Sequence, residues 1–206
     1  MTLRRIVWAS VLAVGGAAIG HAALRTQDGR ELDENLFKAA NAQRSEGADR
    51  VFGAITEAGS LYAVGAAAVA LAVLGRRREG GRALAGAATT WLALQGIKRV
   101  VARPRPFTAD PEATRRLIAR PHGTSWPSSH PAVITTFGRI AARELGIGVG
   151  GRTLLTALDL GVATSRVTLG VHYPSDVASG LLFGRAVAWL WPRRRRAALS
   201  RSKRRG

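Results

Sequence analysis

Apolar residues in this chain come in blocks, and charges come in runs between them. The first block covers residues 6–24, follows Arg4 and Arg5, and is broken only by His21. At about 19 residues it is long enough to span a bilayer. The rival reading is a cleaved signal peptide, since a basic start, an apolar run and Ala22-Ala23 fit that too. A retained helix is favoured because further blocks follow. Residues 58–75 carry no charge and form a second span. Residues 83 to about 101 form a third, with Lys98 and Arg99 emerging at its end. Residues 130 to about 147 form a fourth, interrupted by Arg139, Arg143 and Glu144. Residues 153–164 carry Asp159 and form a fifth. Residues 177–191 carry Arg185 and form a sixth, with Trp189 and Trp191 as interfacial anchors and Pro192 ending it. The pattern predicts an all-α, six-transmembrane helix bundle.

The links are polar. Within residues 25–50, Leu32, Leu36, Phe37 and Ala40 recur at helical spacing, which predicts an amphipathic surface helix near residues 31–45. A solvated loop helix without lipid contact fits the same spacing. Residues 102–126 are rich in Pro and Arg, and only 112–120 is expected to form a short surface helix. The basic stretch 193–206 has no apolar face and is expected to be a disordered tail touching anionic lipid, after a single membrane domain over 1–192.

Composition narrows this picture. The 206 residues suffice for one domain or one bundle, and the absence of cysteine excludes disulfides and thiolate metal sites. A net charge of +18 raises nucleic acid as a partner, but Lys and Arg flank the apolar blocks instead of striping one face. That arrangement fits membrane topology and headgroups, and no aromatic-basic interleaving suited to stacked bases is present. With six spans, Arg4/Arg5, residues 76–82, Arg143/Arg152 and the tail fall on one side, which the positive-inside rule makes cytoplasmic. The candidate motifs then converge on the extracytoplasmic face.

Three stretches carry the chemistry. Residues 165–176 read S-R-x5-H-x3-D, residues 98–106 read K-x6-R-P, and residues 127–130 read P-S-S-H. Lys98, Arg105 and Arg166 are fixed cations able to neutralise a phosphate and the charge that spreads over its oxygens during transfer. Ser128 and Ser129 stand where a helix start would offer backbone N–H groups to an anion. His172 can act as nucleophile if Asp176, four residues on, accepts the proton of its other ring nitrogen. His130 can protonate the leaving oxygen and later deprotonate water. No carboxylate cluster with metal-ligand spacing lies near these motifs, so neither metal nor cofactor is expected.

Taken in that order, K-x6-R-P, P-S-x-H and S-R-x5-H-x3-D resemble the type 2 phosphatidic acid phosphatase family, whose superfamily includes vanadium-dependent haloperoxidases and bacterial acid phosphatases. The resemblance covers about residues 52–191, and His172-Tyr173-Pro174-Ser175-Asp176-Val177 is especially close to the family's form. It implies a helical bundle with a phosphatase/haloperoxidase-like core and a metal-independent mechanism through a phospho-histidine. Carried over by motif, Lys98, Arg105, Arg166, Ser128 and the Ser129 backbone hold phosphate, His130 is the acid, His172 the nucleophile and Asp176 its orienter. The family commonly has glycine where Ser129 stands.

The expected function is hydrolysis of a lipid phosphate or diphosphate, of polyprenyl or phosphatidic-acid type, at the outer face of the cell membrane. The alternatives are a vanadate-dependent haloperoxidase-like enzyme and a non-catalytic lipid binder or transporter. The charges inside the spans add one further expectation. Arg139, Asp159 and Arg185 fall at one depth below the motif layer, and charges there are costly unless paired, so Asp159 is expected to contact Arg139, Arg185 or both.

Overall fold

The computed structural model describes residues 2–42 and 45–193, and within them every regular element is a helix. Helix α1 (Leu3–Arg25) runs into α2 (Gln27–Asn41), whose N-cap Thr26 accepts the Gly29 N–H at 3.1 Å. Ser45 and Ser60 cap α3 (Glu46–Glu57) and α4 (Leu61–Leu71) in the same way. A single π-helical turn (Ala72–Arg76), with Gly75 at φ 77°, reverses the chain into α5 (Arg77–Val101). After a loop holding the one-turn α6 (Pro106–Ala109), helices α7 (Ser129–Glu144), α8 (Val149–Thr168) and α9 (Pro174–Leu190) complete the described chain.

The expected spans map onto α1, α4 with its π-turn, α5, α7, α8 and α9. Their bounds differ in places. The basic turn expected at 76–82 shortens to the Gly75 reversal, and Arg77 to Arg82 open α5 instead. Among the described residues, α1 alone is long and apolar enough by itself to cross a membrane. One bent pair, Glu46–Glu57 with Leu61–Ala109, passes together at 61°. Helices α7 and α9 are short, at 16 and 17 residues, and α7, α8 and α9 carry charges along their length. The segment 194–206, which holds all of the expected tail except Arg193, lies outside the described residues.

The helix at 112–120 does not form; that stretch is a turn followed by irregular chain. Its backbone is claimed from outside. Asn41, the last residue of α2, accepts the Arg115 N–H at 2.8 Å and donates to the carbonyls of Arg115 and Thr168 at 2.9 and 3.0 Å. The Leu117 N–H bonds to the Leu169 carbonyl at 3.2 Å. A backbone held by these partners has no need of an intrahelical ladder.

The amphipathic helix expected near 31–45 forms as α2, four residues earlier. Of its four expected apolar positions Leu32 and Leu36 are exposed, while Phe37 is buried and Ala40 packs on the same cluster; Asp33, Phe37 and Asn41 are buried at i, i+4 and i+8. The helix is anchored through two polar ends and one aromatic ring, and the leucines face outward.

Close approach of small residues holds the remaining helices together. Thr90 on α5 and Thr136 on α7 share a hydrogen bond of 2.9 Å, and Thr136 reaches the Gly184 carbonyl on α9 at 3.1 Å. Trp126 donates to Ser179 on α9 at 3.0 Å, and Ser179 donates to the Gly16 carbonyl on α1 at 2.8 Å. At the far end of the bundle, Arg5 and Arg143 donate to the carbonyls of Trp189 and Ala188, and Arg82 to that of Pro192, so three helices satisfy the C-terminal end of α9. In the interior, Asp159 pairs with Arg139 at 3.7 Å, as expected, and makes no ion pair with Arg185.

Helix α9 meets α7 through Gly180 and Gly184. A Cβ at Gly180 would lie 2.3 Å from the Ser128 carbonyl, and one at Gly184 would lie 2.5 Å from that of Ala132. Backbone cannot yield there as a flexible side chain can. Gly180→Ala is therefore expected to lower stability by about 1–3 kcal/mol, the usual range for overpacking. Thermal melting in detergent measures it, and an unchanged midpoint would contradict the close-packed contact.

Candidate active site

The three motifs converge at one end of the bundle. Helix α5 delivers Lys98 in its last turn, then closes with Ala102 in the left-handed conformation at φ 52°. That reversal turns Arg103 and Arg105 inward, and both are buried. Ser128 and Ser129 stand at the start of α7, and the Ser128 N–H donates to the Asp176 carbonyl at 3.0 Å, which ties the second motif to the third. Arg166 comes from the last turn of α8. His172 lies in the five-residue link to α9, which begins Tyr173 (N-cap), Pro174 (N1) and Asp176 (N3). Proline at N1 and a carboxylate reaching back to the N-cap N–H form a standard helix start, and the Tyr173 N–H bonds to Asp176 Oδ2 at 2.9 Å.

The same carboxylate faces His172. Asp176 Oδ2 lies 3.3 Å from His172 Nδ1 and 2.5 Å from Ser125 Oγ. The other ring nitrogen, Nε2, lies 3.0 Å from Arg105 Nη1. A guanidinium can only donate, so Nε2 is the acceptor and the proton of the neutral ring belongs on Nδ1, toward Asp176. Burial, followed by the cations Arg105, Lys98 and Arg166 and by His130, holds the His172 pKa well below its ordinary 6.5. The imidazole is neutral with its free lone pair on Nε2.

The expected phosphate ligands surround this nitrogen's side of the site. Arg105 is fixed by the carbonyls of Gly123, Val171 and His122 at 2.9, 2.9 and 3.2 Å. Lys98 Nζ donates to the carbonyls of Thr124 and Ser125 at 2.8 and 3.1 Å. Arg166 Nη1 donates to Thr56 on α3 at 3.0 Å. The Arg166 Nε and the hydroxyls of Ser128 and Ser129 are buried without a hydrogen-bond partner. Buried polar atoms are ordinarily paired, so these three form a set of donors awaiting an acceptor. His130 is half-buried and shows no side-chain hydrogen bond to a described residue. A cavity of about 390 Å³, bounded by Arg105, Phe107, Arg120 and His122, opens beside Arg105.

Sequence reasoning missed a second tier of residues. Arg103 Nη1 donates to Asp176 Oδ1 and Ser175 Oγ, both at 2.8 Å, and its Nη2 donates to Asp33 Oδ2 at 2.8 Å. Asp33 also accepts the N–H and hydroxyl of Ser175 at 2.8 and 2.6 Å. The Arg103 guanidinium stacks on the Tyr173 ring, 4.0 Å from its centroid. The repeat Arg103-Pro104-Arg105-Pro106 was a signal for Arg103. Nothing in the pattern of α2 marked Asp33.

Residues 79–199 match the model of the PAP2 superfamily. The chain belongs to that superfamily. Decaprenylphosphoryl-5-phosphoribose phosphatase of Mycobacterium tuberculosis is 38% identical over 118 residues, 57% of this chain and 62% of the relative. Its counterpart in Mycolicibacterium smegmatis is 38% identical over 115 residues, 56% of this chain and 59% of the relative. The matched segment thus spans about three fifths of these curated relatives. In fold, the chain is similar to the transmembrane PAP2-type phosphatidylglycerolphosphate phosphatase of Bacillus subtilis, with a TM-score of 0.73, 22% identity, and coverage of 88% of this chain and 92% of that one. It is also similar to LpxE of Aquifex aeolicus, with a TM-score of 0.69, 23% identity, and coverage of 77% and 93%.

Two outcomes follow for this PAP2 site. Asp33→Ala leaves the Arg103 cation short of one of its two carboxylates in a buried setting, with an expected loss of about 3–5 kcal/mol. A melting midpoint equal to wild type would show that Asp33 contributes nothing. The second concerns pH. The unfolded chain protonates His172 from pH 6.5 downward while the folded protein resists, so its contribution is complete above 6.5 and lost as the pH falls below it. Melting curves from pH 8 to pH 5 should therefore converge for wild type and His172→Asn on the acid side, and parallel curves would refute the assignment.

Proposed function

We propose that this PAP2 chain is an integral membrane phosphatase that hydrolyses a lipid phosphate through a phospho-histidine at His172. The observation that carries the reading is the unpartnered donor set of Ser128, Ser129 and Arg166 beside a neutral imidazole oriented by Asp176. A phosphate monoester would take up those donors, and Lys98 and Arg105 would add the charge that its equatorial oxygens require as the bond to the leaving oxygen lengthens. Arg105 would move its N–H from Nε2 to the phosphate, and Nε2 would attack phosphorus in line with the leaving group. Asp176 stabilises the imidazolium character that develops. His130 supplies a proton to the leaving alkoxide, then takes one from the water that cleaves the phospho-histidine. Ser129 contributes its backbone N–H and a hydroxyl where relatives commonly have glycine.

Membrane embedding is supported by an inverted surface. Large apolar side chains such as Val11, Val14, Val69, Val73, Leu92 and Leu154 face outward from α1, α4, the π-turn, α5 and α8. The interior has an apolar core that includes Val64, Val133, Phe137, Ile140 and Val162, and it also holds the polar Thr56, Thr90, Thr135, Asp159 and Ser179. Large apolar side chains facing outward over an interior that also takes polar groups suit lipid as the surrounding solvent. On this proposal the chain makes six spans, with both termini and the arginine-rich end cytoplasmic and the site extracytoplasmic; the charge distribution supports that orientation. Residues 1–192 then form one domain.

The substrate in the mycobacterial relatives' names combines a polyprenyl chain with a phosphorylated sugar, which favours a polyprenyl-linked phosphate over phosphatidic acid for this chain. Purified full-length protein is expected to release phosphate from such lipids with or without chelator, and His172→Ala is expected to abolish release while remaining folded. Acid-quenched labelling should trap phosphate on His172. Label on His130 instead, or activity lost to chelation and restored by Mg²⁺, would overturn the mechanism.

A further inference from the structure

A second basic cavity lies at the other end of the bundle. Its volume is about 310 Å³, within the range of small ligand pockets, and Arg139, Arg143, Arg152, Arg185 and Arg193 line it with Trp189. Arg139 lies nine residues beyond His130 along α7 and Arg185 nine beyond Asp176 along α9. At about 1.5 Å per residue that sets them roughly 14 Å from the motif layer. Other lining positions, Ala142, Leu155 and Ala188, are apolar, and none of the lining residues is a carboxylate or a nucleophile.

The charges in this pocket are only partly used. Arg139 is fixed by Thr156 at 2.9 Å and Asp159 at 3.7 Å, and Arg143 by the Ala188 carbonyl at 3.0 Å and Glu144 at 3.4 Å. Yet the Nε of each is buried with no acceptor. The guanidiniums of Arg152 and Arg185 show no hydrogen bond or ion pair to a described residue, though Asp159 attracts Arg185 at longer range. The nearby carboxylates, Asp159 and Glu144, are outnumbered, and Glu144 also pairs with Arg82 at 3.3 Å. Helix capping accounts for Arg5, Arg82 and one nitrogen of Arg143, but not for five guanidiniums converging on one space. Planar guanidinium forks match tetrahedral oxyanions, and two of them are already held in place.

We propose that this pocket is a second phosphate-binding site that holds a phosphate-bearing anion without hydrolysing it. Its apolar wall and Trp189 suit the head of an anionic lipid. Free phosphate presents the same tetrahedral oxyanion, and the two sources are separated by experiment.

The test uses full-length protein purified in detergent, with phosphatidylglycerol, phosphatidylcholine and inorganic phosphate as probes. Native mass spectrometry reads retained lipid, and calorimetry reads phosphate. Wild type is expected to retain phosphatidylglycerol over phosphatidylcholine, and Arg152→Gln/Arg185→Gln to lose that retention about tenfold, as loss of more than one charge-assisted contact implies. Phosphate binding is taken as the difference between wild type and variant, so that binding at the motif site cancels. Loss of phosphate binding with phosphatidylglycerol retention unchanged assigns the site to the free anion. Arg152 is exposed, so Arg152→Gln alone serves if the double variant melts early, with a smaller loss expected in the same direction. Wild-type binding of both probes by the folded variants would overturn the proposal.

Discussion

One carboxylate organises the motif end of this protein. Asp176 is fully buried and takes hydrogen bonds from the Tyr173 backbone, the Ser125 hydroxyl and the Arg103 guanidinium, with His172 Nδ1 3.3 Å away. A charge in that setting is tolerable only when its lone pairs are filled. Filling them brings four segments together: the loop after α5, the turn before α7, the link after α8 and the first turn of α9. The group that orients the imidazole is thus also the group that starts a helix, and the geometry of the candidate site and local folding share one set of bonds.

Around that centre the bundle closes through absence of side chain. Gly180 and Gly184 let α9 lie against the backbone of α7, and Gly16 and Gly20 bring α1 up to Phe183 and Trp126. Threonine and serine hydroxyls then bond across the gaps, as between Thr90, Thr136 and the Gly184 carbonyl. In the membrane setting proposed above there is little hydrophobic gain to be had between helices, so packing and such bonds would have to hold them.

Much of this was legible in the sequence. The apolar blocks placed the long helices, because their periodicity and length are local properties. The three motifs placed the site residues in one region, since each is a short run whose geometry is set by the element it begins or ends. The Asp159–Arg139 pair was also legible, from the cost of burying either charge alone. What escaped reading was long-range. Asp33 belongs to a helix whose leucine pattern points outward, and its partners Arg103 and Ser175 lie 70 and 142 residues away. The failure of 112–120 to become helix likewise depends on Asn41, 74 residues from Arg115. Neither contact leaves a periodic trace.

The contacts of α2 bear on where the working unit of the protein begins. The matched family segment opens at residue 79, but the carboxylate that braces Arg103 from outside lies at residue 33, and the amide that sets the path of the long loop lies at residue 41. Helix α2 behaves as a brace inserted between loop and core, not as an appendage preceding a self-sufficient module. Variation in this helix can therefore alter the rigidity of the surroundings of Asp176 and His172 while every motif residue stays the same, which gives related chains with identical motifs a physical route to different behaviour at that site.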